Sequence, residues 1–130
     1  MGSDERLTRE YSDRGSSTSR LLRGIELFND GLYWEAHEAW EEDWTPQRRG
    51  PDSGFYKGLI QVAAGCLHYT RHNRRGAVNK WTSGAEYLRP HLPAHRGVRL
   101  APLVATVDEF LRAMAAEEWP QLAMPRIAHE

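Results

Sequence analysis

Residues 28–44 read FNDGLYWEAHEAWEEDW. This stretch decides the fold, because it sets three of the five tryptophans, and five acidic residues between Glu35 and Asp43, on one helical period. At about 100° per residue, Tyr33, Ala36, His37, Trp40 and Trp44 fall on one face. Glu35, Glu38 and Glu42 fall on the opposite side, and Glu41 flanks the apolar face one turn after His37. Asn29-Asp30-Gly31 is a turn signal, with Gly31 suited to a left-handed cap of a preceding helix. Thr45-Pro46 ends the pattern. A helix is therefore expected from about Leu32 to Trp44.

The flanking segments read as helices that pack on this one. Before it, Leu21, Leu22, Ile25, Leu27 and Phe28 form an apolar stripe behind a run of candidate N-caps, Ser16 to Ser19. After the loop at Gln47–Ser53, a third helix is expected from about Gly54 to His72. Its apolar arc is wide enough to make it central, and the remaining stripe is Lys57, Gln61, Ala64, His68 and His72. A fourth helix, about Arg74 to Arg89, has Asn73 as its cap and Ala77, Val78, Trp81, Ala85 and Leu88 as its buried side. Pro90–Gly97 reads as a second loop. A fifth helix follows, with Pro102 in its first turn and Leu103, Val104, Val107, Phe110, Leu111 and Met114 as its stripe. Trp119-Pro120 breaks it.

No segment alternates with a period of two, so the fold class expected is all-α, about five helices in antiparallel hairpins. The division expected is a disordered tail over 1–17, one helical domain over 18–118 and an extended C-terminal tail over 119–130. The pattern A-x-x-x-W occurs at Ala36–Trp40 and again 41 residues later at Ala77–Trp81. Tetratricopeptide-like hairpin pairs would produce such a repeat, although their usual period is about 34; an ordinary helical bundle would also contain it.

Composition narrows the function classes. The net charge is −1, so no general basic field for nucleic acid or anionic membrane exists. The turn Arg71-His72-Asn73-Arg74-Arg75 is locally basic but lacks the aromatic interleaving of a nucleic-acid surface. No apolar run reaches the roughly 18 residues of a membrane span, and the N-terminus MGSDERLTRE has no apolar core of a signal peptide. With the single cysteine Cys66, these features point to the cytoplasm. Cys66 falls on an apolar face without an activating base and reads as an inert core thiol.

The strings LFNDGLYWEAHEAWEEDW, GLIQVAAGCLHY and GAVNKW together resemble the domain-of-unknown-function 309 family. The resemblance covers roughly Leu21 to Leu88. It implies an all-helical bundle with tetratricopeptide-like hairpins and no established activity. The positions it singles out are Glu35, His37, Glu38, Trp40, Glu41, Trp44, Gln61 and His68, with departures at Lys57 and Cys66.

Three functional readings follow from the polar positions. His37 and Glu41, four apart, could form an acid/base dyad, two metal ligands, or a buried histidine satisfied by a local carboxylate. His68 and His72 share the spacing that lets two imidazoles hold one ion. With His37 and Glu41 they would make a divalent transition-metal site, of hydrolase type in the alternative reading, although neither HExxH nor the paired ExxH of di-iron bundles is present. Glu35, Glu38 and Glu42 would be a solvated face or would pair with Arg20, Arg23, Arg71, Arg74 or Arg75. Trp40, Trp44 and Trp81 read as core, and Trp34 as a second packing surface or the lining of a ligand groove. The leading expectation is a helical interaction or scaffold domain whose polar cluster (Glu35, His37, Glu38, Glu41, Gln61 and His68) lies between the second and third helices. Its partner would be a protein, a peptide, a small molecule or a second copy of the chain.

Overall fold

A computed structural model describes residues 17–45, 49–116 and 119–130 of the chain. The expected disordered tail, apart from its last residue, lies outside the described residues. Five helices follow in order: α1 Ser17–Asn29, α2 Tyr33–Trp44, α3 Ser53–Thr70, α4 Arg74–Leu88 and α5 Leu100–Ala115. Each packs chiefly on its neighbours in sequence. The fold is all-α, as the periodicity requires. A small antiparallel sheet of β1 Ala94–His95, β2 Val98–Arg99 and β3 Ala128–His129 is added to it. Strands of two residues are too short to show alternation, which is why no sequence pattern announced them.

Two helical hairpins, α1–α2 and α3–α4, repeat one design. In each, a tryptophan of the second helix lies across a glycine of the first. A Cβ built on Gly24 would fall on the Trp40 indole, and one built on Gly65 would fall on the Trp81 indole. Glycine permits this approach because its helix surface carries no side chain there. Both tryptophans are fully buried. Trp40 Nε1 donates to the Leu21 carbonyl at 3.2 Å, whereas Trp81 Nε1 is buried and makes no hydrogen bond among the described residues.

The turns repeat as well. Leu32 N–H bonds the Leu27 carbonyl across Gly31 at φ 81°, and Asn73 N–H bonds the His68 carbonyl across His72 at φ 54°. Each is a bond from the residue after a left-handed cap back to the last turn, the Schellman pattern. Gly24 and Gly65, Gly31 and His72, and Trp40 and Trp81 are all 41 residues apart.

The core is one cluster drawn from all five helices, closed by Val98 and Ile127. Along α2 the buried positions are Tyr33, Ala36, Trp40 and Asp43, in phase with the helical period. Asp43 is the only buried charged side chain among the described residues. The guanidinium of Arg20 reaches it from α1, with Nη2 at 3.1 Å and Nε at 3.3 Å from Oδ1. Trp44, expected on this face, is partly buried at its edge and donates through Nε1 to Ser53 Oγ at 3.2 Å.

After α5 there is no helix among the described residues. Trp119 stacks on both Tyr69 (4.9 Å between centroids) and His72 (4.5 Å), and Tyr69 Oη donates to the Pro120 carbonyl. Ile127 is buried while Leu122 is half-exposed. Asn29 holds this segment with both ends of its amide, donating to the Ile127 carbonyl and accepting from the Ile127 N–H.

Gly65→Ala and Gly24→Ala should each destabilise the protein by about 2 kcal/mol in urea unfolding. Alanine normally adds roughly 0.5–1 kcal/mol in a helix interior, but overpacking costs about 1–3 kcal/mol, and neither buried indole has room to withdraw. A gain in stability from either change would show that the helices are not held by this contact.

Candidate functional site

Polar side chains gather in three places, and the first two hold members of the expected cluster: Glu35, His37, Glu38 and Glu41 on α2, and His68 at the end of α3.

The first place is the outer face of α2. Trp34, His37, Glu38, Glu41, Glu42 and Thr45 line an open cavity of about 320 Å³. These positions are one, two and three turns apart, so the helix itself brings them into line. Trp34 is 51% exposed, the highest value among the exposed large hydrophobic residues described. Its ring lies nearly parallel to that of His37, at 5.3 Å between centroids and 9° between planes. His37 Nε2 stands 3.7 Å from Glu41 Oε1, too far for a hydrogen bond, and its Nδ1 is buried without a partner among the described residues. The pair is thus neither a closed dyad nor a satisfied core histidine. Glu35 and Glu38 are exposed nearby.

The expected ion pairs of Glu35, Glu38 and Glu42 with arginine do not form among the described residues. Arg20 is taken by Asp43, and Arg74 Nη1 donates to the Met114 carbonyl at 2.8 Å while its guanidinium lies over Trp119.

The second place is the α3–α4 turn. Asn73 Oδ1 accepts the Gly76 N–H, so its amide nitrogen is the donor to His68 Nδ1 at 3.1 Å. That bond occupies Nδ1 and assigns the proton of a neutral ring to Nε2. His68 is therefore engaged in capping α4. His72 is the left-handed residue of the turn, stacked on Trp119. Because α3 ends at Thr70, His68 and His72 never acquire the one-turn spacing on a helix that the metal reading assumed. Among the described residues no group of three or more histidine, cysteine, aspartate or glutamate side chains is placed to hold a metal ion. Of the set His37, Glu41, His68 and His72, the first two sit on α2, His68 bonds the α4 cap residue Asn73, and His72 packs on Trp119. Gln61 is partly buried on α3 and no hydrogen bond links it to His37 or Glu41.

The third place was not foreseen. Asp52, just ahead of α3, accepts from His95 Nε2 at 2.7 Å through Oδ1 and from Arg96 Nη1 at 2.8 Å through Oδ2. The carboxylate leaves its own helix uncapped and instead clasps the β1–β2 turn, where Arg96 and Gly97 have φ of 50° and 76°. Two successive residues at positive φ match the twist of a tight hairpin. His91 packs against His95 at 4.5 Å, and both rings contact Phe55. Burial alone would raise the Asp52 pKa, but the hydrogen bonds from His95 and Arg96 hold it below the usual value. His91 is depressed, first by burial and then by the charge of His95, against the opposing pull of Asp52. Sequence reading missed this cluster because Asp52 looks like an N-cap and its partners are more than 40 residues away in a loop.

Two buried groups elsewhere are held in their protonated forms. Burial pushes the Cys66 thiol up to about 12, partly offset by Trp81, and pushes Tyr33 up to about 12. Neither offers a nucleophile at neutral pH.

Residues 21–79 match the family described as Domain of unknown function (DUF309), and in this segment the chain is similar to that family. The match spans α1, α2, α3 and the start of α4, including the outer face of α2, and stops before His91, His95 and Arg96. The family assigns no function. No curated protein matches the chain. No helix among the described residues is long and apolar enough to cross a membrane.

The Asp52 cluster gives the protein a signed pH response. His91 has a folded pKa below its ordinary 6.5, so on acidification the unfolded chain takes up that proton first. The stability it contributes is present above about pH 6.5 and declines as pH falls toward the folded value. Asp52, lowered from 3.8, contributes stability above that value that is lost only as pH falls through its folded pKa. Unfolding by denaturant across a pH series should show a shallower decline between about pH 7 and 5 in His91→Gln, and a smaller acid limb below about pH 4 in Asp52→Asn. An unchanged profile in His91→Gln would refute the assignment.

Proposed function

We propose that the protein is a helical interaction module and that its partner surface is the outer face of α2. One observation carries this reading: Trp34 is half-exposed beside a cavity, while Trp40 and Trp81 are buried and Trp44 and Trp119 are largely covered. An exposed tryptophan is the side chain most enriched where partners dock. Covering its open half, on the order of 100 Å², would contribute roughly 2–3 kcal/mol to association. The stacked hairpins, similar in plan to tetratricopeptide pairs, support the reading by presenting α2 on a rigid frame. The reading places the protein in the cytoplasm, supported by the single free, buried cysteine.

The metal-dependent alternative has no geometry in its favour, since its ligands are dispersed. Acid/base catalysis by His37 and Glu41 is weakened by their 3.7 Å separation.

The test is affinity capture with wild-type, Trp34→Ala and Leu122→Ala baits. Trp34→Ala should keep its melting temperature, because the side chain is half-exposed, yet lose the partners that the wild type and Leu122→Ala both recover. Identical recovery by all three baits would overturn the assignment of this face.

A further inference from the structure

We propose that the cavity on the outer face of α2 receives a cationic side chain, preferentially arginine, carried on a basic peptide segment of a partner protein. This rests on the reading of that face as the partner surface and names the chemistry of what docks there.

The floor is aromatic. Trp34 presents a flat ring, braced from one side by the parallel His37 ring. A guanidinium is attracted to the face of an indole more strongly than to any other aromatic and can lie flat against it. The rim is acidic. Glu38, Glu41 and Glu42 line the same cavity, and among the described residues their one ionic neighbour is His37, 3.7 Å from Glu41. No lysine or arginine is among the lining residues. Glu38 and Glu42 stand one turn apart, a like-charge spacing that weakens a helix. A guanidinium on Trp34 would relieve that repulsion while its forked N–H groups donate to the carboxylates.

The same features exclude other occupants. Three carboxylates repel phosphate, which rules against nucleic acid and phosphopeptides. An apolar segment would bury the carboxylates without compensation. Lysine would satisfy the charge but not the flat stacking.

The probe is a short, end-blocked peptide alternating glycine and arginine, titrated into the full-length protein and followed by the Trp34 indole resonance, assigned from Trp34→Phe. Saturable shifts confined to the outer face of α2 are expected. Affinity should fall about tenfold or more in Trp34→Ala and in Glu38→Gln/Glu42→Gln, and should weaken with added salt. Both variants alter exposed side chains, so unchanged melting curves will confirm that they fold. A peptide with citrulline for arginine, equal in shape but uncharged, should not bind.

Equal binding of the citrulline peptide, or unchanged affinity in the variants, overturns the proposal. If the arginine peptide fails while Trp34-dependent capture succeeds, the face is a partner surface of another chemistry and only this inference falls. If capture also shows no dependence on Trp34, both readings fall. If the wild type self-associates and Glu38→Gln/Glu42→Gln abolishes it, the cation comes from a second copy, through an exposed residue such as Arg71 or Arg75, and the partner-protein assignment is overturned.

Discussion

The contact between an indole and a bare stretch of helix governs this fold. Trp40 on Gly24 and Trp81 on Gly65 bring each pair of helices close enough for a single large side chain to fill the space between them. The contact also fixes rotation. With Trp40 facing inward, Tyr33, Ala36 and Asp43 must follow it by helical phase, and Trp34, Glu38 and Glu42 must face out. It fixes length too, because the left-handed residue that ends the first helix stands at the same distance beyond the glycine in both hairpins, at Gly31 and at His72.

The two copies are not equally finished. In the first, the indole N–H has the Leu21 carbonyl. In the second it has no hydrogen bond among the described residues, and the tryptophan is held by aromatic packing instead, against Tyr69 and Phe110. Tyr69 in turn carries Trp119, so the segment after α5 is fastened to the second hairpin. The turn is compensated in a similar way. A left-handed conformation costs a residue with a Cβ about 1–2 kcal/mol, and at His72 the stacking on Trp119 opposes that cost.

The helices were legible in the sequence because each signals itself within a few turns. What failed were judgements requiring knowledge of what faces what. Nothing in the run from Cys66 to Arg75 marks Thr70 as the end of α3, since the left-handed cap is a histidine where glycine or asparagine is usual. Periodicity therefore carries the helix on to His72, whereas the backbone leaves it at Thr70 and does not sustain the one-turn spacing of His68 and His72. At the end of α2, Asp43 and Trp44 lie about equally far in phase from Tyr33, Ala36 and Trp40, so the apolar identity of Trp44 favours it; the structure buries Asp43 because Arg20 supplies the compensating charge. The clasp of Asp52 on His95 and Arg96 joins two loops, and no local pattern encodes such a contact. Trp34 was legible as a tryptophan off the main face, although the sequence could not decide between a second packing surface and a groove.

The outer face of α2 runs against what stability alone would select. The C-terminal end of a helix carries partial negative charge and favours basic residues, yet the last turn of α2 has none, and Glu41 and Glu42 stand there instead. Acidic residues on a surface can serve solvation, but a half-exposed tryptophan in their midst works in the opposite direction by presenting apolar area to water. Neither feature is required by the hairpin, whose register is set from the buried side by Ala36 and Trp40. The unfavourable charges and the unfavourable exposure coincide on one strip of one helix, and a ligand with a flat cationic group would resolve both at once.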